Sequence, residues 1–213
     1  MLNFVEKKSM PPVILLTATV NVLSSQKTGQ INAEERKQMY IRVIRRWLDE
    51  TKLNITVIEN SGYSFPEIER EQRLEIITFT ENDIPLDRRN FLRRCVDKGN
   101  HELFAIGYAL DHSEKLRNCH FFIKVTGRYF VPMLETIDIP LELEALAQSD
   151  PTRSEVLGCR RDKVGELFHF PSTDPHIEQT YEKRINKFKV AKRLPLISIP
   201  RTMMGYGTWI DTL

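Results

Sequence analysis

The sequence predicts an α/β protein: a single domain whose central, mostly parallel or mixed sheet is flanked by helices. Residues 13–20 form an apolar run that ends in small and hydroxyl residues, and Phe121–Tyr129 begins as an apolar run. Such runs are typical of strands that are buried on both faces. A helical pattern and a second short strand follow the first run, and this alternation favours a sheet with parallel strands. The 213 residues are enough to form one well-packed domain of this kind.

The bulk composition excludes several classes of protein. Hydrophobic residues make up 41% and charged residues 28% of the chain, and the formal net charge is +2, so the total charge does not demand a nucleic-acid partner. No apolar run approaches the roughly 20 residues that span a bilayer, and the start lacks the features of a signal peptide. Cys95, Cys119 and Cys159 lie far apart without a Cys-x-x-Cys spacing, which predicts thiols in a reducing compartment. We therefore expect a monomeric cytoplasmic domain without a membrane span or nucleic-acid partner.

The first predicted strand, Val13–Val20, ends in small and hydroxyl residues. Thr17, Ala18 and Thr19 lie near its carboxyl end, where open α/β sheets bind their ligands. The loop that follows lacks both GxGxxG and GxxxxGK[ST]. The usual dinucleotide and P-loop interpretations are therefore disfavoured, and no redox cofactor is expected.

A helix and two more strands follow. Asn32 and Glu35 resemble a capping box that opens the helix. Its apolar residues recur at i, i+3, i+4, i+7 and i+8, and they are Tyr40, Val43, Ile44, Trp47 and Leu48. Further strands are expected at Ile55–Glu59 and Leu74–Thr80.

A polar turn follows the second of these strands. Glu59, Asn60 and Ser61 would lie at the same edge of the sheet as Thr17–Thr19 if the two strands are parallel. A carboxylate and an amide at that place could bind a base or a ribose. The alternative is an Asx turn with a surface glutamate.

Lys98 and Gly99 lie at or just before the start of a second amphipathic helix. Backbone N–H groups and the helix dipole at such a position favour a phosphate or a sugar hydroxyl. His101 falls in the first turn, where it is either a functional acid or base or an ordinary surface or core residue.

The segment Phe121–Tyr129 joins a buried strand to a cationic end. Lys124 and Arg128 are cations, Thr126 adds a hydroxyl, and Gly127 lets the backbone approach a ligand or adopt a positive φ. This is the layout of an anion site at the edge of an α/β sheet. The alternative is that Lys124 snorkels to solvent and Arg128 pairs with a surface carboxylate.

Three segments together resemble nucleotide-sugar-dependent glycosyltransferases of the GT-A type, including a domain of a chlorella-virus-encoded glycosyltransferase. They are a strand ending in Glu-Asn-Ser-Gly, the sequence Lys-Gly-Asn-His-Glu-Leu at the start of a helix, and Ile-Lys-Val-Thr-Gly-Arg-Tyr-Phe. The likeness is strongest from Val13 to Phe130. It implies a single GT-A-like, Rossmann-like domain in which residues 1–130 bind the nucleotide sugar and residues 131–213 bind the acceptor.

The resemblance also implies which residues bind the nucleotide or the rest of the donor. In chain order they are Thr17, Ala18, Thr19, Glu59, Asn60, Ser61, Lys98, Gly99, Thr126, Gly127, Tyr129, Arg201, Tyr206 and Gly207. The last three lie in a glycine-rich tail that could fold back over the diphosphate.

The chain departs from the GT-A pattern at the metal site. Most such enzymes hold a divalent metal with Asp-x-Asp, which occurs nowhere in this sequence. The nearest acids, Asp83 and Asp87, are expected in a loop and are spaced wrongly, so a requirement for Mn²⁺ or Mg²⁺ is open. Lys124, Arg128 and Arg201 are candidates to neutralise the leaving diphosphate instead, each contributing on the order of 2–4 kcal/mol.

The second half supplies a candidate general base. A helix is expected at Pro175–Val190, and Glu178 borders its buried stripe in the first turn. Glu178 either removes a proton from the acceptor hydroxyl or complements the helix dipole. Thr136–Ala147 is predicted as an edge segment or a short helix, and a last strand is predicted at Leu194–Ile199, stopped by Pro200.

The leading interpretation is a glycosyltransferase that moves a hexose or deoxyhexose from a UDP-sugar to a hydroxyl of a growing glycan. If the viral resemblance holds, the acceptor is a capsid-protein glycan in the host cytoplasm. The second interpretation is a non-catalytic nucleotide- or glycan-binding module, and either could be part of a longer protein. A methyltransferase is disfavoured because no glycine-rich turn follows the first strand.

Overall fold

The computed structural model describes residues 10–22, 32–95, 98–195, 198–203 and 206–212, the last two ranges as backbone alone. Its strands are β1 (Val13–Ala18), β2 (Asn54–Glu59), β3 (Leu74–Thr78), β4 (Phe121–Thr126), β5 (Ala145–Ala147), β6 (Val156–Arg160), β7 (Ala191–Arg193), β8 (Ser198–Met203) and β9 (Tyr206–Thr212). Its α-helices are α1 (Ala33–Glu50), α2 (Leu86–Arg94), α3 (Lys98–His112), α4 (Glu114–Asn118), α5 (Val164–Leu167) and α6 (Ile177–Ile185).

Seven strands form one mixed sheet in the order β3-β2-β1-β4-β6-β5-β7. The first four strands of that order are parallel to one another. Strand β6 runs antiparallel to both β4 and β5, and β7 is parallel to β5. The predicted α/β class with a mixed central sheet is confirmed, and the carboxyl ends of β1 to β4 share one edge. Strands β8 and β9 pair with each other in a separate antiparallel sheet.

Strand β1 separates two apolar layers. Ile14 and Leu16 pack with α1 on one face, whereas Val13 and Leu15 pack with α3 on the other. Because successive side chains of a strand point to opposite faces, a strand covered on both sides must be apolar throughout. This explains the unbroken apolar run from which the strand was predicted.

Helix α1 begins as predicted and reaches the edge of the sheet. The Asn32 side chain accepts a hydrogen bond from the Glu35 amide at 2.8 Å, and the Glu35 carboxylate accepts one from the Asn32 amide at 3.3 Å. Further along the helix, the fully buried Trp47 donates its indole N–H to the carbonyl of Tyr129 at 3.1 Å. The helix is therefore joined to the turn that follows β4.

Helix α3 is held by one buried amide in its first turn. Asn100 is 5% exposed. Its Nδ2 donates to the carbonyl of Ser172 at 3.2 Å, and its Oδ1 accepts from the amide of Ser172 at 2.8 Å. These two bonds fix the start of α3, and with it Lys98, against a loop from the second half of the chain.

Several predicted boundaries were wrong. The loop expected around Asp83 and Asp87 contains a 3₁₀ turn (Glu81–Asp83) and helix α2. Of the nine residues of α2 only Leu92 is buried, so the helix has no apolar stripe to predict it. Segment Thr136–Ala147 ends in β5, which lies inside the sheet between β6 and β7.

The end of the chain also differs from prediction. Helix α6 is shorter than expected at both ends. The strand expected to stop at Pro200 instead runs through it as part of β8. In a two-stranded sheet each strand has an unpaired side, which tolerates the missing N–H of proline. No helix in the described part of the chain is both long and apolar enough to cross a membrane.

Candidate functional site

The carboxyl ends of β1, β2 and β4 lie side by side. The Gly127 amide donates to the carbonyl of Thr17 at 2.9 Å, and the Asn60 amide donates to the carbonyl of Ala18 at 3.2 Å. The structure therefore brings together three of the segments expected to form the site.

Gly127 is required by the neighbouring strand. A Cβ atom at this residue would lie 2.6 Å from the carbonyl oxygen of Thr17 and 3.3 Å from Cε1 of Tyr40. Real Cβ atoms do not approach backbone this closely, because the overlap is strongly repulsive. The glycine allows β1, α1 and the turn after β4 to meet.

Glu59 shapes the turn that follows β2. It is fully buried, and its carboxylate accepts from the amides of Val20 at 2.8 Å, Ser61 at 2.9 Å and Tyr63 at 2.7 Å. The Ser61 hydroxyl also donates to it and accepts from the Asn21 amide at 2.9 Å. The surface-glutamate alternative is therefore wrong. Contact of Glu59 or Ser61 with a base or ribose stays a prediction, since both side chains are engaged in holding the loops.

A pocket of about 520 Å³, counting its space open to solvent, lies beyond the ends of β1, β2 and β3. We call it the edge pocket. Its apolar lining residues are Phe79, Ile84, Leu92 and Phe104. Its polar lining residues are Thr19, Asn21, Asn60, Glu81, Arg89 and His101.

Two buried polar atoms of the edge pocket lack hydrogen-bond partners among the described residues. They are Oδ1 of Asn60, an acceptor, and Nε of Arg89, a donor. The Arg89 guanidinium is oriented by Nη2, which donates to the carbonyls of Asn82 at 3.1 Å and Ile84 at 3.0 Å. A buried polar atom left without a partner costs about 1–3 kcal/mol. A ligand that reached these atoms with a donor for Asn60 and an acceptor for Arg89 would remove that cost.

Three cations lie at this edge of the sheet: Arg36 on α1, Lys98 at the start of α3, and Arg128 after β4. Nε of Arg36 donates to the carbonyl of Thr19 at 2.9 Å, and its Nη2 donates to the hydroxyl of Tyr40 at 3.3 Å. Burial, followed by the positive charges of Arg36 and Arg128, lowers the pKa of Lys98 below its usual value. Lys98 therefore lies within electrostatic reach of both arginines, and we call the three residues the cationic cluster.

The two arginines of the cationic cluster have surroundings that leave room for an anion. Neither Arg36 nor Arg128 forms an ion pair with an acid in the part of the chain that the structure describes. The Arg128 guanidinium lies 5.1 Å from the centre of the Tyr129 ring, and its Nε is buried without a partner among these residues. An anion at this place would meet charge that is not already neutralised.

Lys124 has a different environment. It is fully buried, and its ammonium lies 2.7 Å from Oε1 of Glu102. It also donates to the carbonyl of Ser154 at 2.7 Å and to the hydroxyl of Thr126 at 3.3 Å. The snorkelling alternative is wrong, and all three ammonium donors have partners inside the protein.

Glu102 connects this buried lysine to β1. Its Oε1 also accepts from the hydroxyl of Thr17 at 2.9 Å, and its side chain is 21% exposed. Because Lys124 is 2.7 Å away, the negative charge of Glu102 is compensated locally. Thr17 and Thr126, both predicted to bind the donor, are engaged in this network.

Glu178 lies in the first turn of α6, beside the buried residues Ile177 and Tyr181. Its predicted place at the border of the buried stripe is confirmed. Its Oε1 accepts from the hydroxyl of Ser154 at 3.2 Å. Since the carbonyl of Ser154 accepts from Lys124, the candidate base is two hydrogen bonds from the end of β4. Its action as a base stays a prediction.

Two further residues that were predicted to bind the donor, Tyr129 and Gly99, do not line the edge pocket. Tyr129 is 4% exposed and packs in the core beside α1, and Gly99 is buried at the start of α3. Arg201 lies in β8, and Tyr206 and Gly207 lie in β9. The structure describes only the backbone of these two strands, so a role in donor binding stays a prediction.

Sequence reasoning missed Arg36 and Arg89. Helix α1 follows β1, so its first turns lie at the carboxyl edge of the sheet, where helix starts bind anions. That rule could have indicated Arg36. Nothing in the sequence indicated Arg89, because its helix was not predicted.

The side chains at the end of β4 do not fit a divalent metal. At the place where the resemblance to GT-A enzymes would put Asp-x-Asp, this chain has Lys124, Thr126 and Arg128. Mn²⁺ and Mg²⁺ need carboxylate and other oxygen ligands, whereas two of these side chains are cations. Among the described residues, no three His, Cys, Asp or Glu side chains are grouped so that they could hold a metal.

No known family's sequence profile matches this chain, and no curated protein matches it in sequence. Among solved structures, it is similar to the crystal structure of a protein from Desulfovibrio desulfuricans G20 that is named as a candidate nucleotide-diphospho-sugar transferase. The two are 11% identical, the alignment covers 88% of this chain and 80% of that chain, and the TM-score is 0.49. A similarity of this size says nothing about what this chain binds.

Proposed function

We propose that this protein is a nucleotide-sugar-dependent glycosyltransferase that transfers a sugar from a UDP-sugar to a hydroxyl of a growing glycan. One observation carries the proposal: the edge pocket, with its unpartnered acceptor and donor, lies beside the cationic cluster. Thr19 lines the pocket and its carbonyl binds Arg36, so the two parts adjoin. A nucleoside diphosphate has a base for the first part and a diphosphate for the second.

The edge pocket suits the edge of uracil. That edge presents an N–H group beside a carbonyl, so Oδ1 of Asn60 would accept from the N–H and Nε of Arg89 would donate to the carbonyl. Phe79 and Phe104 would offer apolar surface to the base. These pairings would satisfy both buried atoms, which supports UDP as the nucleotide.

The cationic cluster suits the leaving group. In the transfer, the oxygen of the acceptor hydroxyl bonds to the anomeric carbon of the donor sugar. The bond from that carbon to the diphosphate breaks, and its electron pair leaves with the diphosphate. Fixed cations beside the departing oxygen stabilise that charge.

Glu178 is the proposed general base, which takes the proton of the acceptor hydroxyl as the new bond forms. Lys124 acts differently from the sequence-based expectation: it contacts Glu102 and Ser154, and Ser154 in turn contacts Glu178. We therefore assign Lys124 as a positioning residue that connects the donor side to the acceptor side. A hexose or deoxyhexose as the donated sugar, a viral capsid glycan as the acceptor and a cytoplasmic location remain predictions from the sequence.

A second candidate is a non-catalytic nucleotide-binding module. The burial of Lys124 favours it, because the described segment after β4 then offers one cation fewer to the leaving group than the sequence predicted.

Thermal unfolding with UDP, GDP, CMP and S-adenosylmethionine tests both candidates. We expect UDP to raise the melting temperature most, because a ligand that binds only the folded state stabilises it. Incubation with UDP-sugars should then release UDP, and more rapidly when a glycan acceptor is present. If UDP binds but no UDP-sugar is hydrolysed or transferred, the module is supported. If UDP produces no shift at all, both candidates fail.

A further inference from the structure

The geometry points to a donor site that needs no metal: we propose that Arg36, Lys98 and Arg128 together hold the donor's diphosphate in place of the divalent cation. This inference rests on the proposed function. It starts from the observation that Lys124 and Arg128, at the end of β4, are cations and cannot be ligands of a divalent metal.

Arg36 on α1 and the turn that carries Arg128 come from separate elements that meet at Tyr40. The Tyr40 hydroxyl accepts from Nη2 of Arg36 at 3.3 Å and from the Thr19 amide, also at 3.3 Å. On its other side, the Tyr40 ring would lie 3.3 Å from a Cβ on Gly127, the residue before Arg128. Tyr40 therefore fixes the spacing between the two arginines at the end of β1.

The cationic cluster is set up for an anion before one binds. Nε of Arg128 is a buried donor without a partner among the described residues, and a phosphate oxygen would supply the acceptor. The lowered pKa of Lys98 reflects, after burial, repulsion from Arg36 and Arg128, which a bound anion would relieve. Arginine and lysine are the side chains with which proteins bind phosphates.

Glu102 is the acid that could weaken this cluster, because it lies one helical turn beyond Lys98. Lys124 prevents this by pairing with Glu102 at 2.7 Å inside the protein. Fully buried Lys124 therefore compensates the charge of this acid, while Arg36 and Arg128 form no ion pair with an acid among the described residues. A nucleoside diphosphate carries two to three negative charges at neutral pH, which three cations can balance.

Calorimetric titration of UDP and UMP, in buffer with EDTA and in buffer with MnCl₂, tests the proposal. We expect UDP to bind with similar affinity in both buffers and more tightly than UMP. Arg36→Gln, Lys98→Gln and Arg128→Gln should each weaken UDP binding about 10- to 100-fold in EDTA, the usual range for a lost charge-assisted hydrogen bond. Arg42→Gln is the matched control, because Arg42 is exposed on the same helix as Arg36, and it should bind UDP like the unmodified protein.

The outcomes separate this inference from the proposed function. UDP binding that EDTA abolishes and Mn²⁺ restores would overturn the metal-free site but leave the nucleotide site standing. Full UDP affinity in all three cation variants would also overturn the metal-free site. The absence of UDP binding in both buffers would overturn the proposed function. Thermal unfolding of each variant confirms that a loss of binding does not come from a loss of fold.

Discussion

Lys124 and Arg128 lie four residues apart in one segment, and their surroundings are opposite in charge. Lys124 is fully buried against the carboxylate of Glu102. Arg128 shares its neighbourhood with Lys98, whose pKa it helps to lower. Lys124 has Glu102 as its ion-pair partner and therefore contributes to the fold. Arg128 has no acidic partner among the described residues and is available to a ligand. Removing either charge should therefore have opposite consequences.

The largest effect is expected from Glu102→Leu. This change leaves the buried ammonium of Lys124 without its counter-charge, which should lower the free energy of unfolding by about 3–5 kcal/mol. Urea denaturation measures the change. Glu50→Gln, which removes the exposed ion pair with Arg46, serves as the control and should cost about 0.3–0.5 kcal/mol.

The double variant Lys124→Met/Glu102→Leu sharpens this result. An apolar pair of similar volume should restore most of the lost stability, because neither charge is then left buried alone. If the double variant is as unstable as Glu102→Leu, the loss of stability comes from packing, and an uncompensated charge on Lys124 is not its cause.

A smaller effect is expected from Gly127→Ala, which changes the spacing between β1 and the turn after β4. Its Cβ would lie 2.6 Å from the carbonyl of Thr17, so β1 and the turn after β4 must move apart, at a cost of about 1–3 kcal/mol. UDP binding should weaken at the same time. Gly107→Ala on α3 is the control: nothing lies within 4 Å of its Cβ, and it should be neutral or stabilise by up to about 1 kcal/mol. Equal stability of the two variants would contradict the close approach at Gly127.

The smallest effect is expected from Lys98→Gln in the absence of ligand, and its sign is opposite to that of Glu102→Leu. The pKa of Lys98 in the folded protein lies below its usual value of 10.5. Charged Lys98 therefore costs stability at neutral pH, and this cost disappears as the pH rises toward the pKa of the unfolded chain.

Thermal unfolding should accordingly show a slightly higher melting temperature for Lys98→Gln at pH 7 in low salt. The difference should shrink when salt is added, because mobile ions screen the repulsion. A clear loss of stability in low salt would mean that Lys98 is held by attraction rather than opposed by Arg36 and Arg128.

The elements that could be predicted from sequence are those with a local signal. The capping box at Asn32 and the doubly buried β1 are examples, and each is written within a few consecutive residues. Helix α2 was missed because Leu92 alone of its residues is buried, and Arg89 was missed with it. Strand β5 has three residues and is recognised only from its neighbours in the sheet.

The convergence of the segments after β1, β2 and β4 was predicted because the ends of parallel strands must share one edge. The roles of Lys124 and Arg128 could not be separated in the same way. The partner of Lys124 lies 22 residues earlier on a different element, and sequence spacing does not reveal such a pair. Arg36 likewise joins the site only because α1 returns to the edge at which β1 ends.

Asn100 connects the start of helix α3 to the loop that leads into helix α6. Its amide group holds the loop at Ser172 through two hydrogen bonds, and the hydroxyl of Ser172 bonds to Thr180 on α6, the helix that carries Glu178. The first turn of α3 and the first turn of α6 are thus mechanically coupled. In the proposed glycosyltransferase, we therefore expect a donor that displaces Lys98 to change the free energy with which an acceptor binds near Glu178.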